Sequence, residues 1–222
     1  MVIAIDGPAA SGKSSTAQWV AERLGYLHVD SGSLYRALTA ATLRSGTAAS
    51  EWTSTLVLAQ GERISLRAET SAFSTLIDGE PADEEIRGGQ VTAHVSLVAT
   101  MPAVREWVND RVRRAAETRN VVVDGRDMGT AVFPDAPLKV FLIADPFERA
   151  RRRLIQRLKR RPTEEEVAEE VDSLVQRDAR DATQTVQAKD AILLDTTYLT
   201  QPEQVERIVL LAHAVSHRPD VT

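Results

Sequence analysis

The chain of 222 residues is 43% hydrophobic and 27% charged, with 11 Gly and 9 Pro, which excludes disorder and collagen-like repeats and suits one large domain carrying smaller lobes. Its 27 Lys and Arg against 32 Asp and Glu give a net charge of −5, unfavourable for general binding to a nucleic-acid backbone. The absence of cysteine excludes disulfide scaffolds, thiolate catalysis and Cys-ligated zinc, and fits a reducing compartment.

Val2 to Ile5 is a short apolar run bounded by Asp6-Gly7-Pro8, and apolar residues then recur at Ala17, Val20, Ala21 and Leu24 before Gly25. This spacing predicts strand, tight loop and helix. No Lys or Arg precedes position 13 and no apolar run approaches the roughly 18 residues of a membrane span, so a cytoplasmic chain without signal peptide or membrane segment is expected. Leu27-His28-Val29-Asp30 reads as a second strand, Ser31-Gly32-Ser33 as a turn and cap, and Leu34, Leu38 and Ala41 as one face of a helix. The βαβα alternation implies a parallel sheet.

From about 62 to 89 the period changes to two, with Ile64, Leu66 and Ala68, then Phe73 to Ile77 and the turn residues Asp78-Gly79, which predicts a small antiparallel lobe. Helical spacing returns at Val91, Val95 and Val98, and again after Pro102. Val121 to Val123 and Val140 to Ile143 read as buried strands. Asp145 is positioned to cap a helix, with Pro146 at its first position and Glu148 reaching back in a capping box. Two helices joined at Pro162 follow, the second capped by Thr163, then a last strand at Ala191 to Leu194 and a closing helix from Pro202 to Ser216. No internal repeat or low-complexity linker is present, so one α/β core with insertions is expected.

Gly7-Pro8-Ala9-Ala10-Ser11-Gly12-Lys13-Ser14 fits G-x-x-x-x-G-K-S/T, and it follows a strand and opens a helix, the context the motif requires. Backbone N–H groups and the helix N-terminus of such a loop stabilise phosphate oxygens, Lys13 adds a point charge, and the Ser14 hydroxyl can ligate Mg²⁺. Nucleoside triphosphate binding follows, but kinase, switch GTPase, motor ATPase and other transferases all remain open. Asp124, at a strand end, stands either as a carboxylate near the metal, directly or through water, or as a turn former before Gly125. The D-x-x-G and N-K-x-D pair of a GTPase is missing, which weakens the switch reading.

Three segments suggest a second anion site. Arg36 lies one turn into the helix after Asp30, Arg126 and Asp127 follow a strand, and Arg177 and Asp181 share a helical face. Singly, each has an ordinary reading as surface charge or helix salt bridge; on one sheet edge they favour a bound phosphate ester.

With these residues in view, the chain resembles the bacterial cytidylate kinases, a family of nucleoside monophosphate kinases, over nearly its whole length. The resemblance is carried by IDGPAASGKSS at 5 to 15, DSGSLYR at 30 to 36, DGRDMGTAVFPDAPLKVFL at 124 to 142, RDARD at 177 to 181 and DAILLDTT at 190 to 197. It implies an α/β fold with a P-loop NTPase-type parallel sheet core flanked by helices, a lid, and a monophosphate-binding lobe carrying a small antiparallel β insert. The expected division is a core of 1–61, 90–148 and 178–222, an insert of about 62–89 and a lid of about 149–177. The implied reaction moves the γ-phosphoryl group of ATP to CMP or dCMP with Mg²⁺.

Residue by residue, the resemblance implies an ATP site of Gly7, Pro8, Ala9, Ala10, Ser11, Gly12, Lys13, Ser14, Ser15 and Arg149, with Arg149 toward adenine. Arg36 and Arg126 would hold the acceptor phosphate, and Ser96, Arg105 and Asp127 would read cytosine. Ser31, Arg177 and Asp181 complete the CMP set, the last two at the sugar. Lys13, Arg126 and Arg153 would act on the transferring phosphoryl, and Ser14 with Asp124 would hold the metal. The family pattern R-D-x-x-D-x-x-R ends here in Gln184 rather than Arg, which puts one phosphate contact in doubt and makes Arg180 a candidate substitute.

The basic run from Arg149 to Arg161 can be an RNA-binding stripe, a solvated face or a phosphate-clamping lid. Aromatic residues are absent between 148 and 197, so base stacking is poorly served and the lid reading fits best. His28, His94, His213 and His217 show no metal spacing and receive no role; Asp6 serves as a strand-end cap, to ease substrate deprotonation or to orient Lys13. A monomer acting on small molecules, with no nucleic acid or membrane partner, is expected; the rivals are a kinase for another small acceptor such as UMP and an ATP-driven switch contacting RNA.

Overall fold

A computed structural model describes residues 1–216. The elements, in chain order, are β1 (Val2–Asp6), α1 (Lys13–Leu24), β2 (Leu27–Asp30), α2 (Ser31–Leu43), α3 (Ser54–Leu58), β3 (Ile64–Ala68), β4 (Phe73–Ile77), β5 (Glu80–Pro81), α4 (Asp83–Ile86), α5 (Gly89–Ala99), α6 (Pro102–Ala116), β6 (Val121–Gly125), β7 (Leu138–Ile143), α7 (Pro146–Leu158), α8 (Glu164–Asp181), β8 (Ile192–Asp195) and α9 (Gln201–Ser216). The main sheet is parallel, in the order β2-β6-β1-β7-β8.

The inner strands β6, β1 and β7 are largely apolar on both faces because both faces are covered, whereas the edge strand β8 is mostly exposed. Ala4, Val121 and Val123 pack with α2, α5 and α6 residues such as Leu38, Val98 and Val108. The alternate residues Ile3, Ile5 and Val122 pack with Val20 of α1 and Ile208 of α9 on the other side. β1 lies at the centre, so the loops leaving β1, β2, β6 and β7 gather at one carboxyl edge, where sheets of this kind bind ligands.

The period-two segment forms an antiparallel sheet β3-β4-β5, closed between β4 and β5 by Asp78 and Gly79, both at positive φ (56° and 84°). It is not strand throughout: the segment ends in α4, where Asp83, Glu84 and Glu85 favour a helix start. The small sheet is tied to the core where the His28 N–H donates to the Ser71 carbonyl (2.9 Å) and the Ser33 and Thr75 hydroxyls meet at 2.6 Å.

Two local expectations differ. Ser31 is already helical and Asp30 is the cap, accepting from the Ser33 N–H at 3.2 Å, because a strand-end Asp reaches the first-turn amides without an intervening turn. Asp145 caps α7 by accepting from Phe147 and Glu148 N–H groups, but Glu148 does not complete a box; its carboxylate pairs with Arg151 at 2.7 Å, one turn on. The reciprocal box forms instead between Thr163 and Glu166 at the start of α8. α7 and α8 pack as a hairpin through Ala150, Leu154, Val167 and Leu174, with Ala9 of the β1–α1 loop in the same cluster.

Candidate active site

The β1–α1 loop sets the centre. Gly7 has φ +149°, and a Cβ there would come within 2.3 Å of the Leu142 carbonyl oxygen, so only glycine lets the loop pass β7 this closely. Gly12 (φ +91°) then turns the chain into α1. Lys13 is buried, with its Nζ donating to the Pro8 carbonyl at 2.7 Å. Burial, followed by the charge of Arg126, pulls the Lys13 ammonium down to about 7. Ser15 is exposed, its hydroxyl donating to the Gly12 carbonyl. Ser11 is fully buried, and Pro8 and Ala10 complete the loop, Ala10 at φ 56°.

Ser14 donates to Asp124 Oδ2 at 2.6 Å, and Asp124 Oδ1 lies 2.7 Å from His28 Nε2. Burial alone would raise the Asp124 carboxyl, but the His28 and Ser14 hydrogen bonds and the His28 and Lys13 charges hold it below the ordinary range. A hydroxyl beside an ionised carboxylate is a small set of hard oxygen donors. It fits Mg²⁺, which keeps several waters and takes substrate phosphate oxygens rather than a full protein cage. Among the described residues no group of three or more His, Asp or Glu converges to form such a cage.

Asp6 is buried and accepts from the Met128 and Gly129 N–H groups, both at 2.8 Å. It therefore caps the turn after β6, the strand-end duty foreseen for it, while its charge also acts on Lys13. Arg126 and Asp127 project from that turn. Arg126 donates to the Gly7 carbonyl (2.8 Å) and to Asp181 of α8 (2.9 Å), while Asp127 pairs with Arg105 of α6. Ser96 is buried on α5, and the Tyr35 hydroxyl is buried without a hydrogen-bond partner, within Coulombic reach of Arg105 and Asp127. Arg36 donates to the Ile86 carbonyl (3.1 Å) and Thr92 hydroxyl (3.0 Å); Ser31 donates to the Asp124 carbonyl (2.7 Å).

Around this edge the cations face one another. Arg177 is drawn down to about 10, first by burial and then by Arg126, Arg36 and Arg153. Arg36 is lowered by burial and, among its neighbours, by Arg87, Arg153 and Arg126. Asp181, 3.7 Å from Arg177 Nε, is too distant to hydrogen-bond it. Burial is the larger cause in each, and the neighbouring cations add to it; guanidinium groups and an ammonium gathered this closely suit anions.

The arginines of α7 and α8 divide. Arg149 is buried, donating to the Ala9 carbonyl (2.8 Å) and to Asp178 (2.6 Å), while Asp178 also accepts the Ala9 N–H (3.0 Å). Arg153 pairs with Glu170 of α8 at 3.0 Å. Arg180 does not turn toward the cluster: its Nε donates to Gln176 on its own helix. Gln184 follows the end of α8, its N–H on the Asp181 carbonyl.

Sequence reasoning missed His28, Arg87, Asp178 and Glu170. Asp178 stands in the RDARD segment, but its partner is not legible there, and no local pattern marks the other three, since each acquires its partner across elements; Arg87 lies 3.8 Å from Asp30. His94 stays apart, packed on Trp52, and His217 lies outside the described residues.

A family model described as "Cytidylate kinase" matches residues 3–214. The chain is 41% identical over 210 residues to a cytidylate kinase of Caldanaerobacter subterraneus subsp. tengcongensis, covering 93% of this chain and 92% of that one. It is 43% identical over 210 residues to a cytidylate kinase of Geobacillus kaustophilus, covering 93% and 94%. A shikimate kinase structure from Bacteroides thetaiotaomicron is 16% identical, with a TM-score of 0.49 over 96% of this chain and 98% of that one.

Proposed function

Since this chain belongs to the cytidylate kinase family, we propose that it transfers the γ-phosphoryl group of ATP to CMP or dCMP, giving CDP or dCDP and ADP. The observation that carries the reading is the gathering of Lys13, Arg36, Arg126, Arg153 and Arg177 at the carboxyl edge of the sheet, more cations than the Asp181 and Glu170 carboxylates beside Arg126 and Arg153 neutralise. Two phosphate-bearing substrates meeting there relieve the mutual repulsion.

The β1–α1 loop cradles the ATP phosphates through its amides, and Lys13 neutralises them. Arg149, anchored on Ala9, serves the adenine side. Ser14 and Asp124 would hold Mg²⁺, directly or through water, and the bound ion would supply positive charge to the phosphate oxygens. Arg36 and Arg126 hold the CMP phosphate so that one of its oxygens lies in line with the γ-phosphorus. That oxygen forms the new P–O bond as the bond to the ADP oxygen breaks, with Lys13, Arg126 and Arg153 offsetting the charge on the transferring group. No covalent enzyme intermediate is needed. Arg177 and Asp181 take the sugar.

Cytosine is read by Asp127, which accepts from the N4 amino group, and by Arg105 and Ser96, which donate to N3 and O2. Uracil reverses polarity at two of these edges and leaves buried groups unpaired. Residues of about 62–89 serve as the monophosphate-lobe insert and about 149–177 as the lid. No helix of the described residues is long and apolar enough to cross a membrane, and a monomer working in the cytoplasm suits these substrates.

The test is ADP release with ATP and Mg²⁺, offering CMP, dCMP, UMP, AMP and GMP in parallel against a blank without acceptor. Strong signals with CMP and dCMP and a weak one with UMP are expected. Release independent of every acceptor would leave the triphosphate site standing and remove the kinase reading.

A further inference from the structure

The inner stripe of α8 runs through Val167, Glu170, Leu174, Arg177 and Asp181, at alternating spacings of three and four. Val167 and Leu174 pack on Ala150 and Leu154 of α7, so helix packing by itself calls for an apolar residue at 170. A glutamate stands there instead, 7% exposed, with one carboxylate oxygen 3.0 Å from Arg153 Nε and the other 3.1 Å from Arg157 Nη1. Burying a carboxylate costs more than burying a leucine even when the charge is paired, so fold stability does not explain this choice.

The partners differ in a way that does explain it. Arg157 is 57% exposed, whereas Arg153 is 24% exposed and lies within Coulombic reach of Arg36 and Arg177, the arginines at the acceptor site. Arg153 meets Glu170 as an ion pair whose nearest approach is through Nε, the inner nitrogen of its guanidinium. An arginine fixed by Nε keeps its planar fork of outer N–H donors available for phosphate oxygens.

We propose that Glu170 is a positioning residue for phosphoryl transfer: it holds Arg153 by Nε so that the terminal nitrogens stay directed into the phosphate cluster. Arg157 shares the second oxygen and keeps the carboxylate from turning away. The inference rests on the reading of Arg153 as the lid arginine at the transferring phosphoryl. It adds that the arginine's aim is set from α8, the helix that also supplies Arg177 and Asp181, so one rigid element orients both sides of the acceptor.

The experiment is a double-mutant cycle on the full chain, measuring kcat and KM for ATP and CMP in the wild type, E170Q, R153A and the double variant, with thermal melts alongside. E170Q is expected to lower kcat about 10-fold while KM for CMP stays within about twofold, as for a lost orienting contact. R153A should lower kcat by about 100-fold or more, and adding E170Q to it should change nothing further. Glu170→Leu should lose kcat similarly while melting within a few degrees of the wild type, because both arginines reach solvent; if E170Q does not fold, this variant carries the cycle. Equal loss on E170Q in both backgrounds, or an unchanged kcat in E170Q beside a crippled R153A, overturns the proposal. An unchanged kcat in R153A overturns it at its premise, and CMP-dependent ADP release by the wild type separates that result from a failure of the kinase reading.

Discussion

Replacing Asp6 by Asn tests whether the turn that carries Arg126 and Asp127 is held by an unfavourably buried charge. The Asp6 carboxyl is raised from 3.8 to about 6, chiefly by burial, even though the Gly129 and Met128 N–H groups oppose the shift. A carboxyl raised in the folded state binds protons more tightly there than in the unfolded chain. Its favourable contribution is complete below 3.8 and is lost as pH rises through about 6. Relative to full protonation, the loss is about 1 kcal/mol at pH 4.5 and about 3 kcal/mol at pH 7.5, so wild type should lose about 2 kcal/mol over this range compared with Asp6→Asn. The variant also surrenders one of two amide acceptors, a pH-independent cost of about 1–3 kcal/mol. Urea unfolding of both proteins at pH 4.5, 5.5, 6.5 and 7.5 gives the difference in stability directly. Two parallel curves, or a gap that moves in favour of wild type as pH rises, would refute the assignment of a raised Asp6.

Gly7→Ala should cost about 3 kcal/mol or more in urea unfolding and abolish ATP binding by calorimetry, because the new Cβ meets the Leu142 carbonyl at 2.3 Å in a backbone region closed to alanine. Asp127→Asn removes the acceptor for the cytosine amino group and the partner of Arg105; kcat/KM for CMP should fall about 100-fold, while the CMP to UMP ratio narrows. Gln184→Arg adds a cation beyond the end of α8, and KM for CMP should fall about fivefold with kcat unchanged; initial rates across CMP concentrations decide, and an unaltered KM removes the position from the phosphate site.

The parts of this protein that depend on neighbours in sequence were legible in the sequence. Gly7 to Ser14 after an apolar strand reads as a phosphate loop, Thr163 after Pro162 as a helix cap, and Asp78-Gly79 between alternating apolar residues as a turn, because each reflects backbone geometry over a few residues. Even there, competing short-range bonds shifted details: Glu148 satisfied Arg151 rather than closing a box, and Asp30 rather than Ser31 to Ser33 capped α2. What tertiary structure decided is which charges meet. The order β2-β6-β1-β7-β8 brings His28 against Asp124 and Asp6 beneath the turn carrying Arg126, while the α7–α8 hairpin sets Glu170 on Arg153 and Asp178 on Arg149. No periodicity or motif records such pairs. Coulombic and hydrogen-bonding partners are chosen by distance in space, and that distance is fixed only when the apolar faces of sheet and helices have packed.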